Sequence, residues 1–572
     1  MPHADKVLIE KNVEIPMRDG VVARADLYRP YEGAPTAAIM TRTPYDKEQT
    51  GVAGMPINMS PVKLAERGYA ALVVDCRGRF ASDGEFTPFV NEGNDGYDAL
   101  EWAALQPWCN GKTAIYGPSY IGCTTMSAAR ERPPSLKCAI PIITSDDYYD
   151  GWTYQGGAFQ LGFATTWGTG LAVAQYLGKN HDLPPEGLQT LMRAANDPNG
   201  LTHRPLASMP GISEYDIASW WTDWIHHDSR SDYWEATRHS ADFARFEIPM
   251  LHVGGWFDIF TLGTIRNYRG LNEAANAPQH LLMGPWAHVY HTRYLGEMDF
   301  GSTGAAAMAG VVQQYNRFLD THLRETPKPI DPVRYFLMGA NEWRTARTWP
   351  PEEAQRNDLY LASNGKANSR RGDGALTGLA PDGSSLPDRY LYDPQRPVST
   401  NGGALLQESQ GLPGPRDQRA IEDRDDVLCY SSAVLTDPLT VAGPISVTLW
   451  AATDAPDTDW TAKLVDVHPD GLAVSLTDSI VRARFRDGFG EAKLLPGNVP
   501  HEFRIDLAST AHRFGAGHRV RVEISSSNFP RFYPNANTGG VAATDTEVRT
   551  AVQTVYHDSE HPSHISLWTL PK

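Results

Sequence analysis

Short apolar runs alternate with segments of helical spacing through the first part of the chain. Residues 7–29 alternate apolar and polar positions on both sides of Asp19-Gly20, a pattern typical of a β-hairpin. Further strands are predicted at 37–41 and 70–75, and helices at 60–67 and 91–105. The last of these helices has an acidic face, which we expect to be solvated. Strands that alternate with helices predict a parallel α/β sheet.

A strand, a serine and a helix follow one another between residues 111 and 129. An apolar run at 113–116 predicts the strand, and small residues after Ser119 predict the helix. A serine at such a bend exposes its hydroxyl at the sheet edge, next to a helix N-terminus. Gly117 and Gly122 provide room for the turn, although Ile121 occupies the position where a small residue is usual. Similar turns occur in proteins without hydrolase activity, so this motif alone leaves catalysis open.

Two later strands end in an acid and a histidine. Residues 249–258 form an apolar run that finishes with two glycines and Asp258, and residues 280–288 form another that finishes at His288. In α/β-hydrolases the acid and then the histidine follow the serine, each just past a strand of the same sheet. The order predicts a triad of Ser119, Asp258 and His288. The alternatives are helix capping for Asp258 and a hydrogen-bonded core position for His288.

After a buried strand at 138–143, aromatic residues dominate a segment with helical periodicity. They are Tyr148, Tyr149, Trp152, Tyr154, Phe159, Phe163, Trp167, Tyr176, Trp220, Trp221, Trp224 and Trp234. We predict a helical insertion over 145–240. An insertion between the serine and the acid must overhang the site, although such aromatic residues also commonly form a core.

The pattern changes again after a predicted helix around 310–323 and a proline-rich stop at 327–332. From Val333 onward, short alternating runs are separated by Gly, Pro, Asn and Asp, which predicts an antiparallel β-sandwich. Residues 362–426 are rich in Gly, Pro and charge, and we expect them to form long surface loops.

Composition limits the possible partners. The 572 residues suggest about three domains. A net charge of -17 argues against nucleic acids and anionic membranes as partners. No apolar run approaches about 18 residues, so no membrane span is expected. The first residues lack the basic and then apolar pattern of a signal peptide, which leads us to expect a cytoplasmic protein.

The cysteines and histidines give no indication of a metal site. Five widely spaced cysteines favour reduced thiols over disulfides, and Cys123 is expected to pack among apolar residues. The run His557, His561 and His564 is expected to lie on the surface, so no metal or other cofactor is predicted. We expect Asp75 and Arg77 to form a structural ion pair, with substrate contact as the alternative.

Several motifs together resemble those of the CocE/NonD hydrolases, the family of the bacterial cocaine esterase, which is related to α-amino acid ester hydrolases and X-Pro dipeptidyl-peptidases. The resemblance covers essentially the whole chain. Its motifs are Arg42-Thr-Pro-Tyr-Asp-Lys47, Asp75-Cys-Arg-Gly-Arg79, Gly117-Pro-Ser-Tyr-Ile-Gly122, Gly255-Trp-Phe-Asp258, Gly284-Pro-Trp-Ala-His288, Thr461-Ala-Lys-Leu-Val-Asp-Val-His-Pro-Asp-Gly471 and Ser525-Ser-Ser-Asn-Phe-Pro530.

The resemblance implies an α/β-hydrolase domain with a helical cap and a C-terminal jelly-roll β-sandwich. The expected division is 1–144 and 241–340 for the hydrolase domain, 145–240 for the cap, and 341–572 for the jelly roll. Ser119 would be the nucleophile, His288 the general base and then acid, and Asp258 the residue that orients the imidazole. The Tyr45 hydroxyl and the backbone N–H of Tyr120 would form the oxyanion hole. The alternative for Tyr45 is a loop tyrosine that bonds a neighbour.

The resemblance also bears on the substrate. Amino acid ester hydrolases bind the substrate ammonium through acidic residues just after the triad acid, where this chain has the neutral Phe260 and Thr261. Phe260, Trp152, Trp167 and Phe159 instead resemble the aromatic acyl pocket of the esterase. Leu405 and Leu406 of the sandwich are expected to add a pocket wall.

We therefore predict a serine carboxylesterase for neutral, bulky or aromatic acyl groups, acting through an acyl-enzyme intermediate. Its expected partner is a small ester substrate, and a homodimer through the sandwich is one option for its assembly. An α-amino acid ester hydrolase, acyl transferase or amidase acting on amide or β-lactam-type donors is the alternative within the enzyme class. X-Pro peptidase activity is not expected, because no anchor for a substrate N-terminus is evident. A carbohydrate-binding protein with a vestigial hydrolase is the alternative from another class.

Overall fold

Two large sheets and a helical segment make up the protein. The computed structural model describes residues 6–49, 56–179, 185–196, 200–214, 218–324, 326–406 and 411–571. A ten-stranded sheet is formed by the first part of the chain and an eleven-stranded sheet by the last part. The mostly helical segment lies between the sixth and ninth strands of the chain.

The bounds of the strands and helices follow the chain. The strands up to residue 346 are β1 (Val7–Pro16), β2 (Val22–Pro30), β3 (Thr36–Thr43), β4 (Ala70–Asp75), β5 (Cys109–Pro118), β6 (Leu136–Ile142), β7 (Tyr154–Gln155), β8 (Ala158–Phe159), β9 (Met250–Phe257), β10 (Gln279–Ala287), β11 (Tyr294–Leu295), β12 (Met298–Asp299), β13 (Val333–Leu337) and β14 (Glu342–Ala346). The later strands are β15 (Gln355–Ala362), β16 (Ala375–Thr377), β17 (Asp388–Tyr392), β18 (Leu428–Ser431), β19 (Leu439–Thr453), β20 (Asp459–Val467), β21 (Ala473–Arg482), β22 (His501–Phe514), β23 (Arg519–Ser525), β24 (Ala551–Tyr556) and β25 (His564–Thr569). The helices are α1 (Pro61–Glu66), α2 (Glu92–Ala104), α3 (Tyr120–Arg130), α4 (Leu161–Lys179), α5 (Pro185–Asn196), α6 (Ser219–His226), α7 (Asp232–Glu235), α8 (Thr261–Ala274), α9 (Val311–Leu323) and α10 (Arg419–Glu422).

The first sheet is mainly parallel. Its strand order is β1-β2-β4-β3-β5-β6-β9-β10-β13-β14, and the central strands from β4 to β13 run parallel. The predicted N-terminal hairpin is confirmed, because β1 and β2 pair antiparallel and the N–H of Met17 donates to the Val21 carbonyl at 2.8 Å. The carboxyl ends of parallel strands meet at one edge of a sheet, which is where α/β proteins place their sites.

Helices cover both faces of this sheet. Neighbouring residues of a strand face opposite ways, so Ile39 packs in the core under α1 and α9, whereas Met40 packs in the core under α2 and α3. Both residues are completely buried. This burial on both faces is the reason that the central strands are apolar throughout.

The prediction that the β-sandwich begins at Val333 is wrong. Strand β13 pairs parallel with β10, and β14 pairs antiparallel with β13, so both belong to the first sheet. Val333, Tyr335 and Leu337 are buried in the same core as residues of β9 and β10. A short apolar strand has the same pattern at the edge of a parallel sheet as in a sandwich, so only the pairing partner distinguishes them.

The second sheet is almost entirely antiparallel. Its strand order is β17-β24-β19-β25-β15-β16-β18-β23-β20-β21, and β22 pairs with β19. The expectation of surface loops over 362–426 is wrong, since this segment contributes β16, β17 and α10. In β17 the side chains of Asp388, Tyr390 and Tyr392 alternate into the interior. The segment is held by buried polar groups, which composition does not reveal: Asp388 accepts a hydrogen bond from Tyr430 at 2.8 Å.

The segment between β6 and β9 packs against the second sheet as well as over the first. Gly156 lies so close to β21 that an added Cβ would be 2.0 Å from the Ile480 carbonyl oxygen. The N–H of Gly162 donates to the Pro530 carbonyl at 2.9 Å. Among the helices of the described ranges, none is both long and apolar enough to cross a membrane.

Candidate active site

Ser119 lies at the bend between β5 and α3. Its backbone has φ 61° and ψ -125°, a region that costs a non-glycine residue on the order of 1–3 kcal/mol. The bend is held by the Ser119 N–H, which donates to the Ile142 carbonyl at 2.9 Å. A Cβ on Gly117 would lie 2.0 Å from Cγ2 of Ile121, so the isoleucine occupies the space over this glycine. At Gly122 a Cβ would lie 2.7 Å from Cβ of Thr144, and α3 therefore approaches the end of β6 closely.

The structure brings Ser119, His288 and Asp258 into one hydrogen-bonded line. Oγ of Ser119 lies 2.9 Å from Nε2 of His288, and Nδ1 of His288 lies 2.8 Å from Oδ2 of Asp258. The other oxygen of Asp258 accepts the Phe260 N–H at 2.7 Å, so the carboxylate also orders the turn before α8. Asp258 is 2% exposed and His288 4%. The arrangement allows the imidazole to take a proton from the serine while the carboxylate holds the other nitrogen.

Tyr45 follows the end of β3, and its hydroxyl is directed toward the serine. The indole Nε1–H of Trp167 donates to the Tyr45 oxygen at 3.0 Å. Burial raises the pKa of Tyr45 to about 12, although the hydrogen bonds with Trp167 and Ser119 act to lower it. The phenol therefore keeps its proton at neutral pH. A neighbour of Tyr45 is also fixed, because Nε of Arg79 donates to the Pro44 carbonyl at 2.8 Å.

Tyr120 begins α3, directly after the serine, and its side chain is anchored below the bend. Its hydroxyl donates to Oε1 of Glu92 at 2.9 Å and accepts the Phe89 N–H at 2.8 Å. Arg42 pairs with Oε2 of Glu92 at 2.9 Å. Burial raises the pKa of Tyr120 and that of Glu92, while Arg42 opposes the second shift. This buried network holds in place both the bend at Ser119 and the strand that leads to Tyr45.

Sequence reasoning missed this network. The acidic face of α2 was expected to be solvated, but Glu92 and Asp95 are each only 3% exposed. A solvated acidic helix and a helix with buried acidic residues have the same polar pattern in the sequence. Arg42, which pairs with Glu92, lies on a strand that is distant in the chain. One indication of this network was present in the sequence, which is that Arg42 occurs three residues before Tyr45 in the same motif.

The predicted ion pair between Asp75 and Arg77 does not form. Arg77 pairs with Asp95 at 2.6 Å and with Asp19 at 2.8 Å. Asp75 instead accepts the backbone N–H of Lys47 at 2.8 Å. Burial raises the pKa of Asp75 to about 6. Arg77 thus links the turn of the N-terminal hairpin to α2, and Asp75 links the end of β4 to the segment after β3. Neither residue lies in the line of Ser119 and His288.

Three of the predicted pocket residues are brought together beside the histidine. Trp152 and Phe260 are stacked with ring centroids 4.1 Å apart, and Phe260 meets the ring of His288 edge-on at 5.3 Å. Trp167 lies 5.2 Å from Trp152 in an edge contact. The three rings are buried. They form an apolar aromatic wall next to His288, which lies in the hydrogen-bonded line of Ser119, His288 and Asp258.

The other predicted pocket residues are placed differently. Phe159 belongs to the same apolar cluster, but its ring contacts are with Tyr154 at 5.3 Å and with Trp221 at 5.4 Å. Phe159 therefore packs with Tyr154 and Trp221 within the cluster rather than in the wall beside His288. Leu406, which comes from the last part of the chain, joins the cluster, whereas Leu405 is buried but is not a member of it.

Aromatic residues that were not predicted complete the cluster. Phe89 is stacked on Tyr148 with ring centroids 4.3 Å apart, and Trp224 lies parallel to Trp167 at 5.7 Å. Trp224 and Tyr148 were visible only as members of an aromatic-rich segment. Phe89 comes from the loop before α2, and its sequence context gave no indication of this position.

The second and third positions after Asp258, Phe260 and Thr261, carry no charge. Phe260 is fully buried, and the Thr261 hydroxyl is used locally, because it lies 2.6 Å from the Gly255 carbonyl oxygen and 2.8 Å from that of Asp258 and can donate its proton to either. Neither residue offers a carboxylate to a bound ammonium group.

The burial of the cysteines and of His557 can be compared with the positions predicted for them. All five cysteines are free and buried, and burial raises the pKa of the Cys123 thiol, which agrees with the predicted packing role. The surface position expected for His557 is wrong. Its Nε2 lies 3.0 Å from Oδ2 of Asp388 and its Nδ1 lies 2.9 Å from the Ser385 hydroxyl, inside the second sheet.

Similarity to known proteins extends along nearly the whole chain. The family model of X-Pro dipeptidyl-peptidase (S15 family) matches residues 19–290, and that of the X-Pro dipeptidyl-peptidase C-terminal non-catalytic domain matches residues 328–566. Cocaine esterase of Rhodococcus sp. (strain MB1 Bresler) is 37% identical over 574 residues, which cover 98% of each chain.

Solved structures are similar over the same length. A crystal structure of an aminopeptidase from a marine sediment archaeon, Thaumarchaeota archaeon, has a TM-score of 0.83 and 26% identity, and it covers 100% of this chain and 98% of that one. An α-amino acid ester hydrolase has a TM-score of 0.80 and 25% identity, covering 100% of this chain and 97% of that one. The resemblance to the CocE/NonD hydrolases is thereby confirmed. With its α/β-hydrolase-like part and its β-rich C-terminal part, the chain belongs to the X-Pro dipeptidyl-peptidase S15 family and is a serine ester hydrolase.

Proposed function

We propose that this hydrolase is a carboxylesterase for neutral, bulky or aromatic acyl groups. The observation that carries the proposal is the stacked pair of Trp152 and Phe260, which lies against His288 at the end of the proton relay. An acyl group attached to Ser119 would meet this wall first. Aromatic surfaces favour flat apolar groups, with a gain of about 0.5–1.5 kcal/mol for a well-placed ring pair beyond the area buried.

In the proposed reaction, Oγ of Ser119 attacks the ester carbonyl while Nε2 of His288 takes its proton. Asp258 holds the imidazole in the required tautomer and stabilises its charged form. The alcohol leaves with the proton from His288, and an acyl group remains on Ser119. A water molecule then attacks this acyl-enzyme, again with His288 as base, and the acid is released.

The developing oxyanion would be bound by the Tyr45 hydroxyl and the backbone N–H of Tyr120. Because Trp167 already donates to the Tyr45 oxygen, the single proton of the phenol is free to point toward the reacting carbonyl. A donor of this kind contributes about 2.7–4 kcal/mol to transition-state binding. Trp167 is thus a positioning residue for the oxyanion hole as well as a part of the pocket.

In this proposal, the positive charge of amino acid esters makes them poor substrates. An ammonium group bound beside Phe260 and Thr261 would lose its water without gaining a carboxylate partner, which costs several kcal/mol. An α-amino acid ester hydrolase or acyl transferase remains the second candidate, favoured by the similarity to a solved α-amino acid ester hydrolase. The same relay would serve either reaction, and an amine could replace water as the acceptor.

We also infer a role for each part of the chain. The helical segment, predicted as 145–240, acts as a cap that supplies Trp152 and Trp167, and the β-rich part acts as a jelly roll that closes the pocket with Leu406. Because β14 ends at Ala346, the division between the hydrolase domain and the jelly roll is better drawn after residue 346 than after 340.

A panel of p-nitrophenyl esters tests the substrate class. We expect kcat/KM for the benzoyl ester to exceed that for the phenylglycyl ester by at least about 100-fold, which corresponds to roughly 2.7 kcal/mol. The variant Phe260→Glu should narrow this ratio, and Phe260→Leu, its uncharged control, should retain it. A preference of the wild type for the charged phenylglycyl ester would reverse the assignment in favour of the second candidate.

A further inference from the structure

Three histidines surround one buried carboxylate in the β-rich part of the chain. Asp466, near the end of β20, is 2% exposed. Nε2 of His512 lies 2.9 Å from Oδ2 of Asp466, and Nδ1 of His518 lies 2.7 Å from Oδ1. Nε2 of His468 lies 3.7 Å from Oδ2, and the rings of His468 and His518 are 4.4 Å apart between centroids. None of these residues takes part in the relay at Ser119.

Hydrogen bonding does not account for the whole cluster. His512 and His518 together satisfy both oxygens of Asp466, but Nε2 of His468 is buried and has no hydrogen-bond partner among the described residues. A cavity of about 10 Å³ lies beside Asp466, His468 and His512. This volume is about that of a single water molecule or small ion. An unpartnered imidazole nitrogen next to a space of this size is the feature that remains to be explained.

We propose that Asp466, His468 and His518 bind a divalent transition metal ion, with Zn²⁺ as the best match. One ligand atom from each residue lies within 4.8 Å of the other two. Two imidazole nitrogens and a carboxylate oxygen are a donor set that Zn²⁺ prefers, with bonds of about 2.0–2.2 Å and a fourth position for water. His512 keeps its hydrogen bond to Asp466 and orients the carboxylate, as outer partners do at metal sites.

Small shifts convert the cluster into this coordination. Tetrahedral bonds of that length separate ligand atoms by about 3.3 Å. His468 lies 3.7 Å from Oδ2 of Asp466 and His518 lies 2.7 Å from Oδ1. The carboxylate therefore has to present one of these oxygens to both imidazoles as the metal replaces the hydrogen bond of His518, and one ligand atom of each residue already lies within 4.8 Å of the other two. Nδ1 of His518 then holds the metal with its lone pair and the proton resides on Nε2. His468 and His518 are partly exposed, which gives an ion access from the surface.

The position of the proposed metal site indicates a structural role for the ion. The backbone N–H groups of Met338 and Arg513 bond to the carbonyls of Ala511 and Met338, which ties β22 to the first sheet on both sides of His512. The small cavity is also lined by Phe257, the residue before Asp258. A bound ion would link β20 to the start of β23 where the second sheet meets the strand that carries the catalytic acid.

Metal titration of the untagged, chelator-treated full chain tests the proposal. We expect one equivalent of Co²⁺ to bind per chain with the visible absorption of a tetrahedral ion, and Zn²⁺ to displace it. His468→Ala and His518→Ala should each weaken binding at least about ten-fold. His226→Ala, which removes an exposed histidine on α6, is the matched control and should bind as the wild type does. Zn²⁺ should raise the Tm of the wild type and of this control only.

Two results would overturn the proposal. One is the absence of stoichiometric Co²⁺ binding by the wild type, which requires no variant. The other is undiminished binding by His468→Ala, which would place the ion elsewhere. Turnover of an activated ester checks that each variant is folded. If His468→Ala is inactive, His468→Asn replaces it, since its shorter amide can bond Asp466 but is a poor zinc ligand.

Discussion

Two of the buried aspartate–histidine pairs that the structure describes have almost the same geometry. In the first sheet, His288 lies 2.8 Å from Asp258, and in the second sheet His512 lies 2.9 Å from Asp466. Both carboxylates are 2% exposed. The pairs differ in what the far side of the imidazole reaches: Nε2 of His288 meets the Ser119 hydroxyl at 2.9 Å, whereas Nδ1 of His512 has no hydrogen-bond partner among the described residues.

The comparison teaches that the carboxylate–imidazole bond does not by itself define a catalytic pair. A third example, Asp388 with His557, is bonded at 3.0 Å and is closed off by serine hydroxyls in the core. What distinguishes Asp258 and His288 is the serine hydroxyl at a strained bend, which we propose as the nucleophile, and the phenol beside it. The following variants test this distinction, from the largest expected effect to the smallest.

Replacing the proposed nucleophile should have the largest effect. Ser119→Ala removes the acceptor of the acyl group, and we expect kcat for a p-nitrophenyl ester to fall by about 10⁶-fold. The Tm should change little, because the variant removes only the hydroxyl that bonds the His288 side chain and keeps the backbone N–H that bonds the Ile142 carbonyl. Stopped assays with concentrated enzyme measure the residual rate. Turnover at the wild-type rate in this variant would refute the relay.

Changing one carboxylate of each pair compares the pairs directly. Asp258→Asn should lower kcat by about 10⁴-fold, because an amide at this place favours the wrong imidazole tautomer. Asp466→Asn should leave kcat for the same ester unchanged, while its Tm falls. Equal losses of turnover in the two variants would show that the second pair has a catalytic role, contrary to our account.

Removal of the phenol should have an intermediate effect. Tyr45→Phe deletes one oxyanion donor, and we expect kcat to fall by about 10²–10³-fold with little change in KM. Tyr154→Phe is a matched control, because its buried hydroxyl bonds the Trp224 carbonyl at 2.9 Å and not the serine.

The pKa of Tyr45 leads to an expectation about pH. Burial raises this pKa to about 12, so the donating, protonated form persists until the pH approaches that value. In the wild type, therefore, kcat should show no loss from ionisation of the phenol between neutral pH and about pH 10. A decline over this range that Tyr45→Phe abolishes would contradict the proposed role.

The smallest effect is expected from the residue that positions the phenol. Trp167→Phe keeps an aromatic ring but removes the donor to the Tyr45 oxygen, a hydrogen bond of about 0.5–1.5 kcal/mol. We expect kcat to fall about two- to ten-fold. Trp224→Phe is the control, since Trp224 stacks on Trp167 without bonding Tyr45. Equal effects of the two variants would mean that packing alone is responsible.

The elements of the site were largely predictable because topology places them. Ser119, Asp258 and His288 each follow a strand of the parallel sheet, and the carboxyl ends of such strands meet at one edge. Their order in the chain was therefore informative even without a structure. The geometry of the three agrees with that prediction, whereas their catalytic roles remain a proposal.

The features that were missed depend on partners that are distant in sequence. The sequence pattern predicts a solvated Glu92, but Arg42 on a distant strand lies against it. His557 has the sequence context of a surface residue, but it lies beside Asp388 in the interior. The same holds for β13, whose apolar pattern fits either sheet, and for Phe159, whose ring contacts Tyr154 and Trp221. Periodicity identifies an element but does not identify what covers it.

The most direct test of the central claim is to trap the acyl-enzyme. The wild type and Ser119→Ala are mixed with p-nitrophenyl benzoate, quenched in acid within the first turnovers, and digested for peptide mass spectrometry. The account predicts that one benzoyl group is attached to Ser119 in the wild type and that no benzoylated peptide forms in the variant. Benzoylation of another residue, or steady turnover of the wild type without any covalent adduct, would contradict it.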